Sequence, residues 1–396
     1  MPLLLRRLAG AVAVAAPLRR PLCTAALRPP WAMVNCQAAL DASGAPSRGA
    51  RALVDLDTTP CVSRLSVPAR LVDPHGDMGP LVGIVRGASC DGLLLLDFVD
   101  ARPRPISIWP HELAADRGGV EPDTKLFVCN PLSGQLVRLP APGMDVPKMS
   151  TSFGLLTQSQ GSDGPPDRYV VAQLSKSSRG GGECRRVVRR FLSETGEWDE
   201  RPLVGVVEME AARSMLINHE VLALGDRLWW VDVAWACCLL PMLSRYRHMG
   251  VSEGKLRYVQ VSNRDDRSCV ILSFSLDDET YSWALDHSAQ ITDRRDRCHC
   301  HCLAAIDPFK ANLVYLQHGG SVIAMDLANK KEIWRSSLPQ EIFFENLLRG
   351  SSLVPCALPT WLATSHIPTS AGTLSTSNNG DCKKKTLVDM LVCVDS

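Results

Sequence analysis

Apolar and polar residues alternate along much of the chain in short runs with a period of two, which predicts β-strands. One such run recurs three times: Leu, any residue, an aromatic residue, an aliphatic residue, and then a further alternating pair. The copies are DRLWWVDV (226–233), GKLRYVQV (254–261) and ANLVYLQH (311–318). Asp, Gly or Asn stands at the head of each copy, and these residues favour turns. We therefore predict three strands of one kind, each preceded by a turn.

A second repeated unit consists of an apolar strand, a polar turn and a strand with a large apolar residue. Three copies place a Trp six or seven residues after a Leu, and a fourth copy has Leu136 in place of the Trp. The four copies are LFVCNPLSGQLVRLP (126–140), VVRRFLSETGEWDERPL (187–203), VILSFSLDDETYSWALD (270–286) and VIAMDLANKKEIWRSSL (322–338). The Asn, Pro, Ser and Gly of CNPLSG suit a tight turn. Each copy is thus predicted to be an antiparallel hairpin.

A lone hairpin cannot bury its apolar face, so repeated copies are expected to stack on a common core. Radial stacking leaves only short protected edges, and the sequence therefore predicts an all-β fold, a β-propeller-like array of antiparallel hairpins. About 50 residues separate Trp283 from Trp334, a spacing typical of one blade. About 85 separate Trp198 from Trp283, so a unit there has diverged or been lost, and an incomplete or irregular ring stays open as an alternative. We expect the repeated aromatic residues to pack in the core.

The first 30 residues have the character of a leader. Five Arg residues occur there among Ala and Leu, and the first acidic residue of the chain is Asp41. This composition predicts a disordered organelle transit peptide at 1–30, mitochondrial or, second, chloroplast. A secretory signal is the competing interpretation, and a cytoplasmic or nuclear protein is expected if the leader is no transit peptide. After a propeller-like domain at 31–365 we predict a flexible linker at 366–385 and a strand-like tail at 386–396. One short helix is predicted at 340–349.

Overall composition narrows the function classes. The 396 residues carry a net charge of +1, with no basic stripe of the kind that binds nucleic acid. No apolar run is long enough for a transmembrane helix. Fifteen Cys with irregular spacing predict reduced, mostly buried thiols. We therefore expect no nucleic-acid partner and no membrane span.

The segment RCHCHC (297–302) is the strongest candidate for chemistry. Its potential metal ligands are Cys298, His299, Cys300, His301 and Cys302. In a strand the three thiols lie on one face and the two imidazoles on the other, so the five cannot converge on one ion. We predict no metal site and no cofactor here, and we keep as the alternative a site completed by His287 or His318.

Two segments partly match nucleotide-binding and hydrolase motifs but do not have the spacing that these motifs require. GVSEGKL (250–256) has one residue too few for a phosphate loop, and GASCDG (87–92) is no nucleophile elbow. The candidates for a channel active site are His219, Asp232, Asp307 and Asp326. Since Asp at a strand end is usually a turn residue, we predict no catalytic residue and no enzyme.

Several ordered motifs resemble a known family. They are PPWAMVNC (29–36), LFVCNPLSGQLVRLP (126–140), HEVLALGDRLWWVDVAW (219–235), GVSEGKLRYVQVS (250–262), SFSLDD (273–278) and IDPFKANLVYL (306–316). Together they are similar to the plant domain-of-unknown-function 1618 family, which is expanded in grasses. The hairpin at 126–140 also resembles F-box-associated and kelch-type propellers. Members of the family commonly carry a longer stretch where this chain has only residues 236–249. The resemblance implies a propeller-like fold and assigns no reaction.

The sequence therefore leaves three hypotheses for the function of this protein. The first is a non-enzymatic protein-interaction module with unidentified protein partners, acting through loops at one rim. The second is an enzyme with its active site in a central channel. The third is a metal-binding or redox-responsive protein that uses Cys298–Cys302.

Overall fold

The fold is almost entirely β, as predicted. The computed structural model describes residues 30–41, 51–76, 81–100, 124–141, 153–159, 164–177, 185–202, 220–231, 246–265, 268–277, 279–280, 282–292, 302–318, 320–338 and 353–370. Within these ranges, 22 strands accompany one four-residue α-helix, α1 (Ala69–Val72), and a 3-10 helix at Thr360–Ala363. No helix in these ranges has the length and apolar character needed to cross a bilayer.

The strands of the described ranges form six groups, which we call blades 1 to 6 and describe from the innermost strand outward. Blade 1 contains β22 (Leu353–Ala357), β1 (Trp31–Asp41), β3 (Val62–Pro68) and β2 (Leu53–Asp55). Blade 2 contains β4 (Leu81–Ala88), β5 (Leu94–Asp100), β6 (Thr124–Cys129) and β7 (Leu136–Arg138). Blade 3 contains β8 (Phe153–Gln158), β9 (Arg168–Ser177), β10 (Arg185–Leu192) and β11 (Glu197–Pro202). Neighbouring strands are antiparallel except for β1 and β3, which are parallel.

The remaining three blades follow in chain order. The described part of blade 4 is the hairpin of β12 (Glu220–Leu224) and β13 (Arg227–Val231). Blade 5 contains β14 (Arg247–Ser252), β15 (Lys255–Asp265), β16 (Ser268–Leu276) and β17 (Trp283–Thr292). Blade 6 contains β18 (Cys302–Ile306), β19 (Leu313–His318), β20 (Ser321–Asp326) and β21 (Lys331–Ser337).

The innermost strands close into a ring. Strand β22 contacts β4, β4 contacts β8, β8 contacts β12, β12 contacts β14, β14 contacts β18, and β18 contacts β22 again. The long interval between Trp198 and Trp283 therefore contains a blade, whose described part is β12 and β13. Strand β1 uses one edge for two partners, pairing with β22 through Trp31–Asn35 and with β4 through Gln37 and Ala38. Blades 1 and 2 are consequently hydrogen-bonded to each other.

Each pair of adjacent blades encloses its own apolar cluster. Six clusters are present among the described residues, one at each of the six blade interfaces. The period-two pattern explains this arrangement, because alternate residues of a strand point to opposite faces of its blade. On β13, for example, Trp229 packs toward blade 5 and its neighbour Trp230 packs toward blade 3. Both faces of a blade therefore need apolar residues, which fits a ring of stacked sheets.

The sequence repeats occupy equivalent places in the ring. The three runs of the first pattern form β13, β15 and β19, each the second strand of its blade. All four predicted hairpins are the third and fourth strands of their blades. Trp198, Trp283 and Trp334 lie on fourth strands and pack, partly buried, against the clusters between blades. These features confirm the propeller-like array of antiparallel hairpins.

A C-terminal segment crosses the blade 2–3 interface after closing the ring. Leu362 and Ile367 are buried in the cluster between these blades, although Ile367 falls within the predicted linker 366–385. The Ile367 N–H donates to Gln135 Oε1 at 2.8 Å. Residues 371–396 and the predicted helix at 340–349 lie outside the described residues. So does the predicted leader before residue 30, and the boundaries given to these segments stay predictions.

Candidate functional site

The two ends of the ring carry different chemistry. The innermost strands whose contacts fix a direction run the same way. Strands β22 and β4 are both antiparallel to β1. The first residues of β12 and β14 contact each other, and the last residue of β14 contacts the residue that follows β18. The starting end presents Glu220, His248 and Cys302 at or near the first residues of β12, β14 and β18. The finishing end is contacted by the turn between β4 and β5.

A carboxylate–imidazole pair links blades 4 and 5 at the starting end. Glu220 Oε1 lies 2.6 Å from His248 Nδ1, and the Met249 N–H donates to Glu220 Oε2 at 2.7 Å. His248 is buried and Glu220 is half-buried. One carboxylate thus holds the imidazole ring and also satisfies a backbone donor of the innermost strand β14. A carboxylate at Nδ1 fixes the orientation of the imidazole ring.

Replacing Glu220 with alanine is expected to lower the free energy of unfolding by about 2 kcal/mol, because it leaves the Met249 N–H and the His248 ring without their acceptor. Glu220→Gln keeps an acceptor for Met249 and should cost less than half as much. Urea unfolding at neutral pH measures both variants. Equal losses in the two would mean that the carboxylate does not brace the two blades through these contacts.

Of the five candidate metal ligands at 298–302, one lies within the described residues. Cys298, His299, Cys300 and His301 lie outside the described residues, and Cys302 is half-buried at the start of β18, opposite Gln317. His318 follows Gln317 and is buried, whereas His287 lies on β17, the outermost strand of blade 5. Within the described ranges, no three His, Cys, Asp or Glu side chains are grouped as a metal would need. The arrangement of the five ligands therefore stays a prediction.

Of the four residues considered for an active site in the central channel, two lie within the described residues. His219 and Asp232 lie outside the described residues. Asp307 Oδ1 accepts the N–H groups of Phe309 and Lys310, and Asp326 Oδ1 accepts those of Ala328 and Asn329. Side-chain acceptors of this kind stabilise the turns that follow β18 and β20. Hydrogen bonds from Asn329 lower the pKa of Asp326 from its ordinary value.

Asp307 is buried, and the hydrogen bonds that it accepts do not fully offset the cost of burying its charge. Burial raises the pKa of Asp307, while hydrogen bonds from the Phe309 N–H and the Tyr315 hydroxyl oppose the rise. The Asp307 carbonyl oxygen also accepts the Ser252 hydroxyl at 2.5 Å, which joins the finishing ends of β14 and β18. Asp307 thus closes a turn and holds two blades together.

We expect the stability of the wild-type protein relative to Asp307→Asn to fall as pH rises above the unfolded pKa of this carboxyl and through its raised folded pKa. A carboxyl whose pKa is raised in the folded state stabilises that state fully below its unfolded pKa of ~3.9, and this stabilisation is lost as pH passes through the folded pKa. Asparagine retains an acceptor for the turn and does not titrate. Urea unfolding of both proteins at several pH values measures the difference, and a difference that stays constant or grows with pH would contradict the assignment.

The turn GASCDG (87–92) spans the finishing end. The Thr157 hydroxyl of β8 donates to Asp91 Oδ2 at 2.6 Å, and Cys90 Sγ lies 3.3 Å from the Ala223 carbonyl oxygen of β12. Cys356 Sγ of β22 approaches the Gly92 carbonyl oxygen at 3.4 Å. Burial raises the pKa of the Cys356 thiol to about 12, so this sulfur stays protonated. Of the seven described cysteines, four are buried, two are half-buried and Cys90 is exposed.

A groove opens between the outer parts of blades 1 and 6, with a volume of about 310 Å³. Blade 1 contributes Asp55, Asp57 and Val62, and blade 6 contributes Trp334 and Ser336. Asp55 and Asp57 are exposed, whereas Trp334 is half-buried. The groove thus combines carboxylates with an aromatic wall. Neither it nor the Glu220–His248 pair was expected from sequence, because the residues of each are distant along the chain and follow no spacing rule.

The fold is assigned from the strand pairing described above and not from similarity to a known protein. No family model and no curated protein matches this chain. Among solved structures, the β-propeller domain of Cps50 (Swd1) from Myceliophteria thermophila is similar at 12% identity, 65% coverage of this chain, 83% of that chain and a TM-score of 0.28. Apo AztD from Citrobacter koseri is similar at 10% identity, 72% coverage of this chain, 88% of that chain and a TM-score of 0.26.

Proposed function

We propose that this chain is a non-enzymatic protein-interaction module in which the ring is a rigid scaffold and the outer rim of blades 5, 6 and 1 contacts the partner. The proposal is carried by the position of the exposed apolar residues. In the described part of the chain, the large apolar side chains with more than half of their surface exposed are Leu53 (59%), Leu285 (55%) and Ile333 (54%). They lie on β2, β17 and β21, the outermost strands of three consecutive blades. Each of three neighbouring blades therefore carries one exposed apolar side chain on its outermost strand, and apolar side chains are the residues that the buried centre of a protein interface uses.

Affinity purification of the full chain from plant organelles, followed by mass spectrometry, tests this proposal. We expect reproducible partners whose recovery falls at least about tenfold when Leu53, Leu285 and Ile333 are all replaced with serine, since each apolar contact contributes on the order of 1 kcal/mol. The matched control replaces Arg138, Thr195 and Glu197 with serine, exposed positions on blades 2 and 3. No reproducible partner, or equal recovery with both triple variants, would contradict the proposal.

Family and compartment belong to the same proposal. The motifs quoted above support membership of the plant domain-of-unknown-function 1618 family. The Arg-rich, acid-free leader supports import into mitochondria or, second, chloroplasts. Fusing residues 1–40 to a fluorescent reporter tests the compartment. We expect reporter signal in one of the two organelles, and a diffuse cytosolic signal would overturn this part.

An enzyme is the second candidate, and the Glu220–His248 pair favours it because an imidazole held by a carboxylate is suited to proton transfer. Screening the purified chain against panels of small molecules tests this candidate. Turnover that is lost in His248→Gln and kept in the turn variant Asp226→Asn, without any co-purifying partner, would replace the interaction proposal.

Metal binding at Cys298–Cys302 is the third candidate, and metal analysis of chelator-washed protein decides it. A stoichiometric metal that is lost when these five residues are replaced would support a metal site, and its absence would remove this candidate.

A further inference from the structure

The groove between blades 1 and 6 has walls of different character. Strand β2 and the following loop supply the carboxylates of Asp55 and Asp57, while β21 supplies the indole of Trp334. Trp334 packs against the apolar cluster between these blades together with Val62, so its position is fixed by the core. A buried hydroxyl fixes the loop on the other side, because Ser63 Oγ accepts the Asp57 N–H at 3.0 Å. The groove is therefore held open by packed and hydrogen-bonded residues on both walls.

Charge and apolar surface coexist at this groove. Strand alternation places Leu53 on the face of β2 that carries Asp55, whereas Val54 between them packs against the core. Leu53 is the most exposed large apolar side chain among the described residues. Arg64 also lines the groove, opposite Asp55 on β3, so two carboxylates face one guanidinium. The groove thus offers one negative charge in excess beside an apolar rim.

The size of the groove limits what can occupy it. About 310 Å³ lies at the low end of small-ligand pockets, which span roughly 300–1,000 Å³. That volume suits one or two side chains of an extended peptide. A cation above an indole ring within about 6 Å is attracted by the π-electrons, and carboxylates add charge-assisted hydrogen bonds. The side chain that matches both features is that of lysine or arginine.

We propose that this groove binds a short segment of a partner protein, with a Lys or Arg side chain between Trp334 and the carboxylates of Asp55 and Asp57 and an apolar side chain against Leu53. This inference rests on the proposed interaction function and assigns the chemical class of the bound segment.

Selection from a random peptide display library on the immobilised full chain tests the inference. We expect the enriched peptides to share a Lys or Arg next to an apolar residue. The same selection on Asp55→Asn/Asp57→Asn should lose that preference. The matched control Asp226→Asn/Glu279→Gln removes two exposed negative charges on blades 4 and 5 and should keep it.

Fluorescence anisotropy with one enriched peptide then measures the energetic coupling. Asp55→Asn/Asp57→Asn should weaken binding at least about tenfold, and replacing the basic peptide residue with Gln should weaken it at least as much, since that residue also contacts Trp334. The two changes together should cost little more than the peptide change alone, because the contact with the carboxylates is already lost in that change. Trp334→Phe keeps an aromatic wall and should weaken binding less than Trp334→Leu. Thermal unfolding of each variant separates lost binding from lost folding.

Failure of this inference can be distinguished from failure of the proposed function. Peptides without a shared basic residue, binding unaffected by the Asp double variant, or no enrichment at all would each overturn the groove assignment. Partners that co-purify equally with wild-type and Asp55→Asn/Asp57→Asn would also overturn it, and the interaction function would stand. Absence of any reproducible partner would overturn the function itself.

Discussion

Replacing Asn130 with alanine is expected to lower the free energy of unfolding by about 3 kcal/mol, because two donors and two acceptors lose their partner at a fully buried position. Asn130 Oδ1 accepts the N–H groups of Leu132 and Ser133. Asn130 Nδ2 donates to the carbonyl oxygens of Leu362 and Ser365, at 2.8 and 3.3 Å. The side chain therefore stabilises its own turn and also attaches the C-terminal segment to blade 2. Equilibrium unfolding in urea measures the loss.

Asn130→Asp separates the two roles of this side chain. Aspartate keeps an acceptor for the turn and places an oxygen where the amide group donates to Leu362 and Ser365. We expect a loss at least as large as that of Asn130→Ala, with faster hydrogen exchange in residues 358–370. If Asn130→Asp were as stable as the wild type, the contacts to the C-terminal segment would be energetically unimportant.

Gly92→Ala is expected to cost about 4 kcal/mol, because it combines an unfavourable backbone conformation with overlap in a packed site. Gly92 has a φ of +84°, and a Cβ there would lie 2.1 Å from the Ala357 carbonyl oxygen and 2.7 Å from Leu362 Cδ1. Ala357 is the last residue of β22, the strand that closes the ring. The variant should therefore separate β22 from blade 2, and hydrogen exchange at 353–357 should rise together with the loss of stability.

Gly225→Ala is the matched control. Gly225 has a φ of +62°, and a Cβ there would meet nothing within 4 Å. Its replacement should cost only about 1–2 kcal/mol, the penalty of the left-handed conformation alone. Equal losses in the two variants would show that contact with β22 and Leu362 contributes nothing to the Gly92 site.

The features that sequence predicted are local. Each hairpin brings together residues that are close along the chain, so a period-two pattern and turn residues suffice to predict it. CNPLSG illustrates both what such a pattern predicts and what it leaves out. Its Asn, Ser and Gly predict the turn between β6 and β7, whereas the bonds from Asn130 to Leu362 and Ser365 join residues more than 200 positions apart.

The features that sequence did not predict depend on the closed ring. Nothing in the spacing of LVPCA (353–357) indicates that this strand pairs with β1, or that β1 lies parallel to β3. Glu220 and His248 meet because blades 4 and 5 are neighbours, and Asp57 and Trp334 line one groove because the ring brings blade 6 back to blade 1. These contacts depend on how blades pack, and local periodicity carries no information about that.

The order in which the strands are synthesised has a consequence for blade 1. On the ribosome β1 emerges before every other described strand, whereas its inner partner β22 emerges last. Throughout that interval the edge of β1 that will receive β22 has unpaired backbone groups beside buried residues such as Met33 and Val34. An exposed strand edge is a template for pairing with other chains. This edge of the nascent chain therefore stays open to other chains until residues 353–357 leave the exit tunnel, and a chaperone that shields the first strand would protect it.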